Sequence, residues 1–179
     1  NLTNPDSILV GAKSEESARS HLIIQAKLSN NAPVSILSWS EAEVVKLLVN
    51  CYVTMKISFA NFLAEIADVI PGANASKISS ALGLDTRIGQ KYLRPGLGFA
   101  GPCFPRDVRA LIAFSNRLGL TSNLATATQE INIRQPEKWA RRITQIIEPK
   151  SRILVVGIVY KPMTEIFEES QSLMLARLL

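Results

Sequence analysis

The sequence predicts a mainly α chain, with a central helical domain built on one long buried helix and truncated α/β (Rossmann-like) segments on either side. Three observations predict it. No Gly or Pro occurs between Ser38 and Ile70; a short strand–helix–strand pattern precedes that stretch, and a continuous apolar run, Ile153 to Val159, follows the helices. A Gly- and Pro-free stretch this long reads as a helix of roughly 30 residues, about 45 Å at 1.5 Å per residue.

The elements follow in order. Ile8 to Val10 is a short strand ending at Gly11, and Ser14 can cap a helix running to about Lys27. Val34 to Leu37 is a second strand, so the opening has the form of a last βαβ unit. Ser38 with Glu41, and Ser40 with Glu43, offer two overlapping capping boxes for the long helix. Along that helix Lys46, Asn50 and Thr54 recur every fourth residue, and Asn61, Glu65 and Asp68 follow at similar spacing. The remainder is largely apolar, and so thin a polar stripe predicts burial within the domain or against another subunit. Shorter helices are expected at Asn74 to Leu82, Arg106 to Leu118, Asn123 to Ile133, and from Pro136 to Ile147. The run Ile153 to Val159 then reads as the first parallel strand of a further α/β domain. The expected domains are 1–38, 39–150 and 151–179.

Composition narrows the function classes. With 47% apolar residues among 179, the chain can bury a real core. The net charge of +5 suits an anionic partner, but the basic residues are scattered and no aromatic-interleaved basic run marks a nucleic-acid surface. Cys51 and Cys103 are too few for a disulfide framework, no charge-free run of eighteen apolar residues occurs, and the polar start is not a signal peptide. The expectation is a cytoplasmic protein without membrane or nucleic-acid partners. His21 has no ligand-spaced companion, so no metal is expected. The chain opens without methionine and stops inside a helix-like run, and is expected to be part of something longer.

Cys103 carries the chemistry. Gly96-Leu97-Gly98-Phe99-Ala100-Gly101-Pro102 is a glycine-rich loop that can bring backbone amides to an anion, and Pro105 can start the helix behind it. A thiol at a helix N-terminus with Arg106 and Arg109 nearby is placed to ionise and act as a covalent nucleophile. The local pattern fits a buried structural cysteine about equally well. Cys51, in an apolar helix, reads as packing.

A set of motifs in fixed order resolves this. Gly96 to Asp107 resembles the Gly-x-Gly-Phe-Gly-Gly-Ser-Cys-Phe-Pro-Lys-Asp signature of the UDP-glucose/GDP-mannose 6-dehydrogenase family, with Phe104-Pro105 similar to its UDP-glucose branch. Asp85 to Leu93 resembles Asp-x-Arg-Ile-Gly-x-Lys-Phe-Leu, and Ala42 to Asn50 resembles Ala-Glu-x-x-Lys-x-x-x-Asn at the head of the family's central helix. Asn4-Pro5 and Gly157 to Pro162 match flanking segments. The resemblance implies a two-step oxidation of a UDP-sugar C6 alcohol to a carboxylate, consuming two NAD, through a cysteine thiohemiacetal and thioester. It makes Cys103 the nucleophile, Lys46 and Asn50 the oxyanion-stabilising pair, and Asp107 the residue that positions the hydrolytic water. Arg87 would reach the sugar nucleotide of the neighbouring subunit in a homodimer built on the long helix. Tyr92, Arg94, Gly96, Gly98, Phe99, Ala100 and Lys161 would face the substrate, while Arg106 and Glu168 stand at NAD-proximal positions.

Several residues depart from the family pattern. Ala100 replaces a glycine, Pro102 a serine, Phe62 a glutamate, and Glu168 an arginine; no Gly-x-Gly-x-x-Gly follows a strand. Two readings follow: the central part of an active dehydrogenase, or a non-catalytic helical dimerisation module of a degenerate relative. Under either, the chain by itself is expected to turn over nothing. Calorimetry should accordingly detect no saturable NAD binding; a micromolar dissociation constant would mean that the domain content is misread.

Overall fold

The computed structural model describes residues 3–29 and 32–179, so Asn1 and Leu2 of the polar start lie outside the described residues. The chain forms two compact units, Asn1–Val49 and Asn50–Leu179, that divide within the long helix.

In the first unit, β1 (Ile8–Gly11) and β2 (Val34–Leu37) pair in parallel with Ile8 opposite Val34, joined through α1 (Glu15–Leu28). Ser14 caps α1 as its pattern predicts, its Oγ accepting the amide of Ser17 at 3.2 Å. Ile8, Val10 and Ala18 form the core of this unit, with Ala12 and Leu22 packed against it.

Helix α2 (Trp39–Val69) starts with the first of the two expected capping boxes. The Ser38 amide donates to Glu41 Oε2 at 2.8 Å, and the Glu41 amide donates to Ser38 Oγ at 3.3 Å. Ser38 Oγ also donates to Glu41 Oε2 at 2.7 Å, and this bond, followed by that of the Ser38 amide, lowers the Glu41 pKa. The second box, on Ser40 and Glu43, does not form, because Ser40 already lies inside the helix.

Within the second unit the polarity of α2 runs opposite to that of an ordinary surface helix. Cys51, Thr54, Ser58 and Asn61 are buried, whereas Tyr52, Phe59, Phe62, Ile66 and Val69 are exposed. Tyr52, Met55, Phe59, Phe62, Ile66 and Val69 recur in alternating steps of three and four, the period of a coiled-coil seam. The expected burial of the helix is therefore met only in part, along a stripe of Cys51, Thr54, Ser58, Ala60, Asn61, Leu63 and Ala67. By length and composition α2 could cross a membrane, yet its buried side is the one that makes polar contacts, such as Ser58 Oγ donating to the Thr128 carbonyl at 2.8 Å.

The remaining helices are α3 (Ala75–Gly83), α4 (Phe104–Arg117), α5 (Asn123–Ile146) and α6 (Gln171–Leu178), with α5 packed against both α4 and α6. Glu65 and Asp68 pair with α5: Lys138 lies 3.3 Å from Glu65, and Arg142 lies 2.6 Å from Asp68.

Two expectations are corrected. The helices predicted on either side of Pro136 are one continuous α5, with Pro136 buried inside it. Proline lacks the amide that would bond the carbonyl four residues back, that of Asn132, but packing outweighs this loss and the helix continues. The apolar run 153–159 forms no strand. A parallel strand needs a neighbour for its ladder, and the sheet among the described residues holds only β1 and β2.

Candidate active site

The site is built where α4 begins. Cys103 is the N-cap residue of α4, exposed, with Pro105 in the first turn. Its carbonyl accepts the Asp107 amide at 2.8 Å, so Cys103 and Asp107 lie one turn apart on the same face. Asp107 is 6% exposed, and both of its carboxylate oxygens are engaged. Asn50 Nδ2, on α2, donates to Oδ2 at 2.6 Å, while Arg106 donates from Nε and Nη2 to Oδ1 at 2.9 and 2.8 Å. Three of the four residues expected to be catalytic thus come together around one buried carboxylate. Lys46 is exposed on α2, one turn before Asn50.

The two arginines expected to lend positive charge to Cys103 both have carboxylate partners. Arg106 is held above the usual guanidinium range by Asp107 and, to a smaller degree, by Cys103. Arg109 is held up by Glu169, to which it makes paired bonds of 2.7 and 3.1 Å. Arg106 is thus shared between Asp107 and the thiol, and the first turn of α4 itself carries the Asp107 carboxylate. Cys51 differs in every respect. Its Sγ donates to the Asp107 carbonyl at 3.4 Å, and burial, followed by the Asp107 charge, pushes its pKa up to about 11.

Buried amide side chains shape the glycine-rich loop, a role that the polar stripe of α2 did not reveal for Asn61 and that no motif marked for Asn132. Asn61 Oδ1 accepts the Gly96 amide at 2.8 Å. Asn132 brackets Phe99, accepting its amide at 2.7 Å and donating to its carbonyl at 3.0 Å. Gln171 also reaches the Phe99 carbonyl, at 3.4 Å, and Ser79 bonds the Leu93 carbonyl. The Gly101 amide donates to the Glu168 carbonyl at 2.9 Å. The amides of Gly96, Phe99 and Gly101 are thus already used within the chain; those of Leu97, Gly98 and Ala100 make no hydrogen bond among the described residues. Glycine is required at two places. At Gly98 (φ +122°) a Cβ would strike Asn132 Oδ1, and at Gly101 (φ +85°) it would come within 2.5 Å of the Tyr160 ring. The one sequence sign of Asn132 is Pro136, which frees the Asn132 backbone carbonyl four residues earlier.

The remaining predicted residues surround this loop or lie apart from it. Tyr92, at φ 62°, is a non-glycine residue in the left-handed region, its ring edge-on to Phe104 at 6.4 Å. Arg94 and Lys161 are exposed, Lys161 lying over the Tyr160 ring at 5.3 Å. The Glu168 side chain is exposed and adds to the negative charge facing Arg109. Arg87 sits on the turn that follows α3, held by Asp85, with its side chain 87% exposed.

The described residues do not form a dinucleotide cradle. The turn from β1 to α1 is Gly11-Ala12-Lys13-Ser14, and a Cβ on Gly11 would lie 3.0 Å from that of Ala42. That glycine serves packing against α2, not the approach of a phosphate. Among the described residues no cluster of His, Cys, Asp or Glu could hold a metal.

Residues 40–134 match the family model of the UDP-glucose/GDP-mannose dehydrogenase central domain. A UDP-glucose 6-dehydrogenase of Haloferax volcanii is 34% identical over 98% of the chain, and one of Bacillus subtilis is 34% identical over 90%. The chain spans 42% and 35% of those two proteins. The structure of a UDP-glucose dehydrogenase from Pyrobaculum islandicum superposes with a TM-score of 0.90 at 34% identity, covering 99% of this chain and 41% of that one.

The two thiols should be separable by alkylation. At pH 8 a group with a pKa near 11 is ionised in roughly one molecule per thousand, and Cys51 is buried as well. Iodoacetamide should therefore modify exposed Cys103 well before Cys51, as read by peptide mapping. Equal rates would overturn the assignment of Cys51 as inert.

Proposed function

Because the chain belongs to the UDP-glucose/GDP-mannose dehydrogenase family, we propose that it is the central part of a nucleotide-sugar 6-dehydrogenase. This enzyme oxidises UDP-glucose, or a similar UDP-sugar, at C6 in two steps. The observation that carries this reading is the junction of Cys103, Asp107 and Asn50 at the start of α4. Cys103 Sγ adds to the C6 aldehyde, and the carbonyl oxygen takes up the electron pair as the S–C bond forms. An amide nitrogen carries two hydrogens; Asn50 gives one to Asp107 and keeps one for that oxyanion, and the family resemblance gives Lys46 a share of this role. Asp107 orients Asn50 through Oδ2, and the family resemblance gives it the positioning of the water for thioester hydrolysis.

The two oxidations need a nicotinamide dinucleotide, NAD, whose site these residues do not form; it belongs to segments that the longer relatives carry. Arg106, engaged on Asp107, serves this cluster first and the cofactor's neighbourhood second. Two unpaired thiols support a cytoplasmic location. The polar buried face of α2 supports packing within protein, without membrane insertion.

The exposed apolar seam of α2 supports a homodimer. Tyr52, Phe59, Phe62, Ile66 and Val69 on one helix form a stripe that a second copy would bury across a two-fold axis. Light scattering at tens of micromolar should return a dimer, and Phe59→Asp should shift it to monomer. A wild-type monomer at that concentration would count against the seam.

In a full-length version carrying the flanking segments of the relatives, Cys103→Ser should lower two-step turnover by roughly a thousandfold or more. Assay against UDP-glucose, UDP-N-acetylmannosamine and GDP-mannose reads both activity and sugar preference. Full turnover by Cys103→Ser or Cys103→Ala would sink the nucleophile. Inactivity of the unmodified protein on all three sugars would favour the dimerisation-module reading, which Glu168 and Pro102 support.

A further inference from the structure

Lys56 lies on α2 between two positions of the apolar seam, four residues after Tyr52 and three before Phe59. Its ammonium does not simply extend into solvent. It donates to the carbonyls of Ile88 and Gly89, at 2.9 and 3.2 Å, and so grips the turn that follows α3. That turn is closed on itself as well: the amides of Ile88 and Gly89 both donate to the Asp85 carbonyl at 2.9 Å, and the Arg87 amide donates to Asp85 Oδ1 at 2.9 Å. Arg87 projects from it, its Nε and Nη2 bound to the Asp85 carboxylate at 2.6 to 3.2 Å. This pairing raises the Arg87 pKa and lowers that of Asp85. A guanidinium has five N–H donors; Asp85 takes those of the Nε and Nη2 side. An arginine with an 87% exposed side chain would ordinarily sample many rotamers. Here Asp85 holds its head, and a charged lysine holds the turn beneath it.

We propose that Lys56 is a positioning residue: it locks the Asp85–Gly89 turn to α2, so that Arg87 is presented, pre-ordered, beside the seam to a phosphate-bearing substrate of the second copy. The inference rests on the dehydrogenase reading and on the dimer. The seam lies on α2 and the turn is bonded to α2 through Lys56, so this one side chain links the two. Ordering Arg87 in advance lowers the entropy lost when it meets an anion, an effect that falls on substrate affinity and not on the chemical step.

The test uses the full-length version and four variants: Lys56→Met, Lys56→Arg, Arg87→Ala and the double variant Lys56→Met/Arg87→Ala. Arg87→Ala should raise KM for UDP-glucose at least tenfold, with kcat within about threefold. Lys56→Met should raise KM roughly five- to tenfold with kcat and dimer mass unchanged, and Lys56→Arg should retain most of the affinity. The double variant should be no worse than Arg87→Ala alone, because both changes disable one device. If Lys56→Met does not fold, Lys56→Gln takes its place. A KM shift for Arg87→Ala with none for Lys56→Met or Lys56→Gln would overturn the positioning role and leave the dehydrogenase reading intact. A lowered Tm with unchanged KM in the Lys56 variants would mark Lys56 as merely structural. No KM change for Arg87→Ala, in a protein that remains active, would remove the role of Arg87 and that of Lys56 with it.

Discussion

Asn50, Ser58 and Asn61 lie on one side of a helix whose other positions are largely apolar, and that side is the one turned into the second unit. Much of the candidate site depends on this orientation. Asn50 meets Asp107, Ser58 meets the Thr128 carbonyl of α5, and Asn61 meets the Gly96 amide at the start of the glycine-rich loop. Leaving buried polar groups unpaired costs about 1–3 kcal/mol each, so these three contacts fix both the rotation and the register of α2. With its polar amides and hydroxyls committed inward, the helix presents its large apolar residues outward, beside the charged edge of Glu65 and Asp68. Catalytic geometry and the self-association seam are in this sense two faces of one constraint.

The loop before Cys103 shows the same economy. Its chain path is held by side-chain amides, Asn61 at one end and Asn132 in the middle, with the backbone of Glu168 closing the far end. Substituting glycine at 98 or 101 would push a Cβ into Asn132 or Tyr160, so the two residues are glycine for lack of room as much as for backbone freedom. Pro136 belongs to this arrangement. Placed inside α5 four residues after Asn132, it removes one backbone hydrogen bond in the turn whose side chain grips Phe99.

Charge around Cys103 is more balanced than its neighbours in sequence imply. Arg106 and Arg109 stand three and six residues from the thiol, but each faces a carboxylate, that of Asp107 and that of Glu169. Reading both as free cations near the cysteine is reasonable from spacing alone and incomplete in space. A carboxylate sixty residues away, Glu169, decides what Arg109 can do. Glu168 also faces Arg109, so the replacement of the family's arginine there has a local electrostatic partner.

Local pattern by itself determined a good deal of this protein. The caps at Ser14 and Ser38, the Gly- and Pro-free stretch of α2, and the strand–helix–strand opening all follow from short-range chemistry and appear within a residue or two of where they are expected. The site motif was equally legible, because Cys103, Asp107 and the helix that joins them are contiguous. Only the tertiary structure decided the rest. It kept α5 whole through Pro136, since packing along a long helix outweighs one missing hydrogen bond. It left 153–159 without a strand, since a ladder exists only between two strands and hydrophobicity supplies just one. It chose which side of α2 faces inward, because the partners of Asn50, Ser58 and Asn61 stand 57, 70 and 35 residues away along the chain. A helical period states that two stripes exist; the contacts across the fold decide which one is buried.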